Sequence, residues 1–166
     1  IVGGGMAGLC AALSAARHGA STAIVHNRPV FGGNASTEIR VPPAGAGMHN
    51  PYGRETGIIH ELITEDRARN HDPVGTGMAN ATWDIVLYNA ARRQENLDCY
   101  LNTNIETIET TAGTIKACVG SQLATEICWR ILGCVFIDAT GDGVVALAAG
   151  AEQRFGQESR DEYGES

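Results

Sequence analysis

Between Met6 and Ala16 apolar residues return every three or four positions, at Met6, Leu9, Cys10, Leu13 and Ala16, and Gly19 follows. That period puts them on one face of a helix, with glycine as its stop signal. Residues 22–25, Thr-Ala-Ile-Val, form a short run of strand type. The spacing predicts a second helix over 55–70, where Ile58, Ile59, Leu62 and Ile63 share a face and Glu65 with Arg69 makes an i,i+4 pair. A third is predicted over 81–95, burying Trp83, Leu87, Ala90 and Ala91 and wetting Arg92, Arg93 and Glu95. After Asn96 the pattern becomes one of strands, at 97–102, 105–109, 114–119 and 126–130, with turns at Ala112-Gly113 and Gly120-Ser121. A parallel strand followed by a small antiparallel meander fits this run. Residues 135–137 are wholly apolar, as in a central parallel strand buried on both faces, and 144–149 read as a short apolar helix closed by Gly150. Residues 152–166 are rich in charge and read as a surface strand or tail, with Arg154 and Arg160 on a solvated face.

Placed on these elements, the glycines acquire roles. Ile1-Val2-Gly3-Gly4-Gly5-Met6-Ala7-Gly8 sets Gly3, Gly5 and Gly8 at the three positions of G-x-G-x-x-G, between a strand and a helix. Gly3 allows the tight turn, Gly5 lets the backbone approach a pyrophosphate, and Gly8 lets the helix lie close to the sheet. A strand before and a strand after distinguish this from an ordinary turn without a ligand. A second glycine turn, Asp138-Ala139-Thr140-Gly141-Asp142-Gly143, follows the apolar run at 135–137. Two such turns on one sheet edge suggest a single extended ligand spanning both. Residues 29–73 hold all five prolines along with Gly32, Gly33, Gly45, Gly47, Gly53 and Gly57, a loop-rich excursion expected to lie over that ligand. So little strand precedes Gly3 that the chain is expected to begin inside a fold.

Composition narrows the partners. A chain of 166 residues with 43% hydrophobic content suits one domain with a real core. The net charge is -7 and Lys116 is the only lysine, which argues against nucleic acid. The five cysteines, Cys10, Cys99, Cys118, Cys128 and Cys134, include no C-x-x-C pair and are expected to be buried reduced thiols. His49, His60 and His71 recur at eleven residues, which matches no compact metal motif, so no metal is expected. No apolar run is long enough to cross a membrane. A cytoplasmic protein is the expectation, with an upstream signal peptide left open.

The chain resembles the FAD-dependent oxidoreductases, and is similar to the flavin domain of the heterodisulfide reductases. The resemblance rests on I-V-G-G-G-M-A-G at 1–8, R-P-V-F-G-G-N-A-S at 28–36, E-T-G at 55–57, D-A-T-G-D-G at 138–143 and G-Q-E-S-R at 156–160. It implies an α/β, Rossmann-like doubly wound FAD-binding domain over 1–166, mainly a parallel sheet with an inserted antiparallel β-meander. It also implies a longer protein whose substrate domain lies beyond Ser166.

The resemblance assigns Gly3, Gly5, Met6, Ala7 and Gly8 to the pyrophosphate, held by backbone amides at a helix end worth about +0.5 elementary charge. Gly32, Gly33, Asn34 and Ser36 resemble a second glycine loop on the flavin side. Asn34 or Ser36 could equally cap a local turn. In the Thr140-Gly141-Asp142 turn, Asp142 resembles the acid that meets the ribityl chain, or it caps the helix at Val144. Eighteen residues after Gly8, where the dinucleotide pattern has Glu or Asp for the adenosine ribose, stand His26, Asn27 and Arg28. His26 or Asn27 can still bond a hydroxyl, His26 can be a plain strand end, and Arg28 could meet a 2′-phosphate. His49, Arg54 and Glu55 are the weak candidates for proton transfer or anion binding, and each also reads as an ordinary loop or helix-start residue. The expected function is electron or hydride transfer through FAD between a small-molecule substrate or redox partner and the flavin. The rivals are an NADP-dependent dehydrogenase, a non-catalytic nucleotide-binding module, and a flavoprotein domain of the type used in transfer-RNA modification.

Overall fold

In a computed structural model, residues 1–43, 53, 56–71, 80–156 and 159–164 are described. Helix α1 (Met6–Arg17) starts directly at the glycine turn, with Gly5 as its N-cap, and strand β1 (Thr22–Val25) follows. Leu9, Leu13 and Ala16 of α1 are buried, as the three-to-four spacing foretold, with Ala12 beside them, while Met6 and Cys10 are half-buried. A short 3-10 turn (Gly33–Ala35) precedes helices α2 (Ile58–Arg69) and α3 (Ala81–Arg92). The Asn80 side chain caps α3 by accepting the Thr82 N–H at 2.9 Å. Strands β2 (Leu97–Tyr100), β3 (Thr103–Thr111), β4 (Thr114–Gln122) and β5 (Ile127–Leu132) follow, then α4 (Val144–Ala148) and α5 (Arg160–Tyr163).

Two sheets result. β1 and β2 pair in parallel, Thr22 opposite Leu97 through Val25 opposite Tyr100. Val2 extends this ladder, bridging Val25 on one side and Asp138 on the other, both in parallel. The order across the sheet is therefore β2, β1, Val2, Asp138, and the two glycine turns leave it at neighbouring positions. β3, β4 and β5 form an antiparallel meander in that order. The α/β class expected from the sequence is thus present, as a parallel sheet with helices packed against it and a three-stranded antiparallel sheet beside it.

The main core joins α1, β1, α2 and α3 through Leu9, Leu13, Ile24, Phe31, Leu62, Trp83 and Leu87. Trp83 and Phe31 are fully buried, and each such side chain stabilises the fold by about 1.5–3 kcal/mol. The Trp83 indole N–H donates to the Ala35 carbonyl at 2.7 Å, tying α3 to the loop after the second glycine pair. A smaller core of Val2, Cys118 and Val145, with Ile105, Ile108, Ile115 and Phe136, seats the meander and α4 against the other end of the sheet.

Three expectations are corrected. Gly120-Ser121 is not a turn: both residues lie in β4, paired with Trp129 and Cys128, and the chain turns at 123–126 instead. Gly120 serves a close backbone approach, since a Cβ there would lie 2.1 Å from the Asn104 carbonyl oxygen. Residues 135–137 are not a buried central strand: only Asp138 bridges Val2, while Val135 is 79% and Ile137 39% exposed. An apolar run signals burial only when neighbours cover it, and here only Phe136 packs against a core while Val135 and Ile137 stay exposed. The cysteines are free thiols, yet only Cys118 is buried; Cys10 and Cys99 are half-buried and Cys128 and Cys134 exposed. Cys128 sits on β5, at the edge of the meander, where alternate positions face outward. Among the described residues no helix is long and apolar enough to cross a membrane.

Candidate functional site

The glycine turn is held from three directions. Gly3 N–H donates to the Val25 carbonyl at 2.8 Å, Gly4 N–H to His26 Nδ1 at 3.0 Å, and Gly32 N–H to the Gly4 carbonyl at 2.8 Å. Space then separates the three motif glycines. A Cβ on Gly3, which has φ +101°, would lie 2.2 Å from the Ala139 carbonyl oxygen, and one on Gly8 would lie 1.9 Å from the Gly3 oxygen. These two close the turn against the second glycine block and the helix against the turn. A Cβ on Gly5 would meet nothing within 4 Å. Its open side faces a cleft of about 540 Å³, inside the range of small-molecule sites.

The cleft runs from the glycine turn (Gly3, Gly5, Met6, Ala7) along the end of β1 (His26, Asn27) to the second glycine loop (Gly32, Gly33, Asn34) and Thr140, Gly141 and Asp142. Gly33 packs so closely on the first turn that a Cβ there would sit 3.1 Å from the Gly5 Cα. The structure therefore gathers both glycine turns and the intervening loop around one space, as the sequence suggested. Among its described lining residues none is Lys or Arg, and Asp142 is the only carboxylate. An anion there would be held by backbone N–H groups and the α1 N-terminus, whose first amides have no partner within the helix.

Gly8, Arg28 and Ser36 stand outside that lining. Gly8 is buried under the turn. Arg28 makes a two-pronged pair with Glu38, both contacts at 3.0 Å. Ser36 is fully buried; its hydroxyl donates to the Gly33 carbonyl at 2.7 Å and accepts the Glu38 N–H at 3.3 Å, the local-turn role. Asn34 is exposed on the cleft and its carbonyl accepts the Val41 N–H. His26 is 7% exposed, and burial pushes its imidazole below the usual value; Glu38 opposes that shift, Arg28 adds to it, and the Val30 carbonyl opposes it. A neutral ring accepting at Nδ1 carries its proton on Nε2. His49, Arg54 and Glu55 lie outside the described residues.

Several participants went unread in the sequence. Asp138, rather than Asp142, orders the second glycine turn: Oδ1 accepts from the Thr140 N–H at 3.0 Å and hydroxyl at 2.7 Å, and Oδ2 accepts the Ala146 N–H at 2.9 Å. Burial alone would raise its pKa, but these bonds outweigh burial and hold the carboxyl below the usual range. The Thr140 hydroxyl in turn accepts the Val144 N–H at 3.0 Å, capping α4. An Asp two residues before a Thr is a turn signal in its own right. The cleft is also walled by Thr103, Asn104 and Ile105 and by Val41, Pro42 and Pro43. Residues 103–105 follow β2, whose end lies beside that of β1, and strand ends on one edge are where such folds bind ligands.

No curated protein sequence matches the chain. Among solved structures it is similar to a glycerol-3-phosphate dehydrogenase from Bacillus halodurans complexed with FAD, at 14% identity over 80% of this chain and with a TM-score of 0.47. The chain spans about a third of that protein, 32% of its length. The model of the family described as FAD dependent oxidoreductase matches residues 1–166, and the chain belongs to that family.

Proposed function

We propose that this chain is the FAD-holding part of an oxidoreductase that passes electrons or a hydride through the flavin. The observation that carries the reading is the open side of Gly5, at the N-terminus of α1, facing a cleft bounded by two further glycine turns. The residues present fit the cofactor. Met6, Ala7 and Gly8 offer N–H groups at a helix start for the pyrophosphate, and Gly5 leaves room for it. Residues 103–105 and Asn27 would flank the adenosine end, and Gly32, Gly33, Asn34, Thr140 and Asp142 the flavin end. When bound, FAD supplies the redox chemistry; the protein supplies position, exclusion of water and the electrostatic setting.

The NADP alternative rested on Arg28, and that guanidinium is already engaged by Glu38 outside the cleft lining. The substrate or redox partner would be met by parts of the protein outside this cleft. Purified protein tests the reading: a flavin absorption band, with FAD released intact on denaturation, supports it. A colourless protein that FAD neither binds nor stabilises would overturn it.

A further inference from the structure

His26 ends β1 and is fixed by backbone bonds on both sides, its N–H donating to the Tyr100 carbonyl at 2.8 Å and its carbonyl accepting the Thr103 N–H at 2.9 Å. Its side chain packs against Gly4: a Cβ on Gly4 would fall 2.6 Å from the imidazole Cγ. The ring runs parallel to that of Phe31, with centroids 6.3 Å apart and planes 8° from each other. Nδ1 accepts the Gly4 N–H at 3.0 Å, while Nε2 is buried and makes no well-formed hydrogen bond among the described residues, the Val30 carbonyl being the backbone group that acts on the ring. The Nδ1 lone pair is thereby taken, and the Nε2 proton is held away from water. The ring nitrogen that could accept is taken by Gly4, and the one that donates is closed off from water, so the side chain cannot read a ribose hydroxyl without leaving its place.

Gly4 is the joint through which this arrangement acts. Its N–H is held by His26, its carbonyl accepts the Gly32 N–H at 2.8 Å, and its chain neighbours are Gly3 and Gly5. One peptide thus links the end of β1, the turn that starts α1 and the second glycine loop. Residue 4 is glycine because the imidazole occupies the space a side chain would need.

We infer that His26 is a positioning residue of the cofactor site: through Gly4 it sets the aim of the amides from Gly5 to Gly8 and the spacing of the two glycine loops, without its ring nitrogens bonding the cofactor. The inference rests on the proposal that the cleft takes FAD, and it reassigns the position where dinucleotide folds carry a ribose-binding acid.

The test compares the 166-residue chain with His26→Asn and His26→Leu, by FAD titration followed through flavin fluorescence. Asn offers a carbonyl oxygen near the place of Nδ1; Leu fills the space without an acceptor. His26→Leu is expected to weaken FAD at least about tenfold, the scale of a buried N–H left unpaired, and His26→Asn to recover most of that loss. A purely packing role gives the opposite order, Leu binding as well as or better than Asn, and that order overturns the inference. Nitrogen NMR on the unliganded wild type gives a second readout, independent of flavin and of variant folding. It is expected to show Nδ1 unprotonated, Nε2 protonated and the Gly4 amide slow to exchange. A protonated Nδ1, or a Gly4 amide exchanging like an exposed loop, overturns the inference. Wild-type chain that shows the expected NMR signature but does not bind FAD would instead refute the FAD reading alone.

Discussion

Gly5→Ala separates folding from binding at the centre of this site. Gly5 sits at φ -64° and ψ 178°, extended backbone that alanine adopts freely, and a methyl group there would touch nothing within 4 Å. Two small effects on stability oppose each other: alanine is a poorer N-cap than glycine, and it lowers the entropy of the unfolded chain by about 0.4–1 kcal/mol. The net change should stay within about 1 kcal/mol, or about 2–4 °C in Tm for a chain of this size. The same methyl would stand where the pyrophosphate approaches the helix amides. Displacing the phosphate from one charge-assisted bond costs about 1.5–3 kcal/mol, a weakening of roughly 10- to 150-fold. The assay pairs a thermal melt of the unliganded chain with an FAD titration by fluorescence. An unchanged melt with weakened FAD is the expected pair. Wild-type affinity in Gly5→Ala would remove the phosphate from this place, and a collapsed melt would show that the fold itself requires Gly5.

Gly8→Ala should do the reverse, destabilising the unliganded chain by about 3 kcal/mol because its Cβ would overlap the Gly3 oxygen at 1.9 Å; an unchanged melt would contradict the packing described. Asp138→Asn bears on the second glycine turn. Because the folded pKa of Asp138 lies below its ordinary value of 3.8, its stabilisation is present above that pH and is lost as pH falls through the folded pKa. The stability gap between wild type and Asp138→Asn, measured by denaturant titration across pH, should therefore be widest near neutrality and narrow below pH 3.8; a constant gap would refute it. Ala112 turns between β3 and β4 at φ +49°, so Ala112→Gly should stabilise by about 1 kcal/mol, read as a rise in Tm.

Local patterns in the sequence were enough for α1, β1, α3 and the first hairpin, because the period of apolar residues and the turn pair Ala112-Gly113 act within a few residues; the second turn was misplaced at Gly120-Ser121, which is strand. The first glycine turn was legible for the same reason, since Gly8 packs on Gly3 within one strand-turn-helix unit; Gly3 also meets Ala139 of the second glycine block, and Gly5 keeps an open side. Spatial neighbours were harder. Nothing near Gly4 in the chain announces that residue 26 will lie on it, and the pairing of β2 beside β1 is what brings residues 103–105 to the cleft. Arg28 reads in the sequence as available for a phosphate, but Glu38, ten residues on, folds back beside it. The run at 135–137 misled because apolar composition does not say what covers it. Asp142 was favoured for its place in the glycine turn, whereas the bonds fall to Asp138, two residues ahead of Thr140.

The claim that the cleft holds FAD on backbone amides is tested most directly by titrating the purified, flavin-stripped chain with FAD and, separately, with NADP+, following fluorescence and Tm. FAD should bind saturably and raise Tm, and NADP+ should do neither. A chain that NADP+ stabilises and FAD does not would contradict the account.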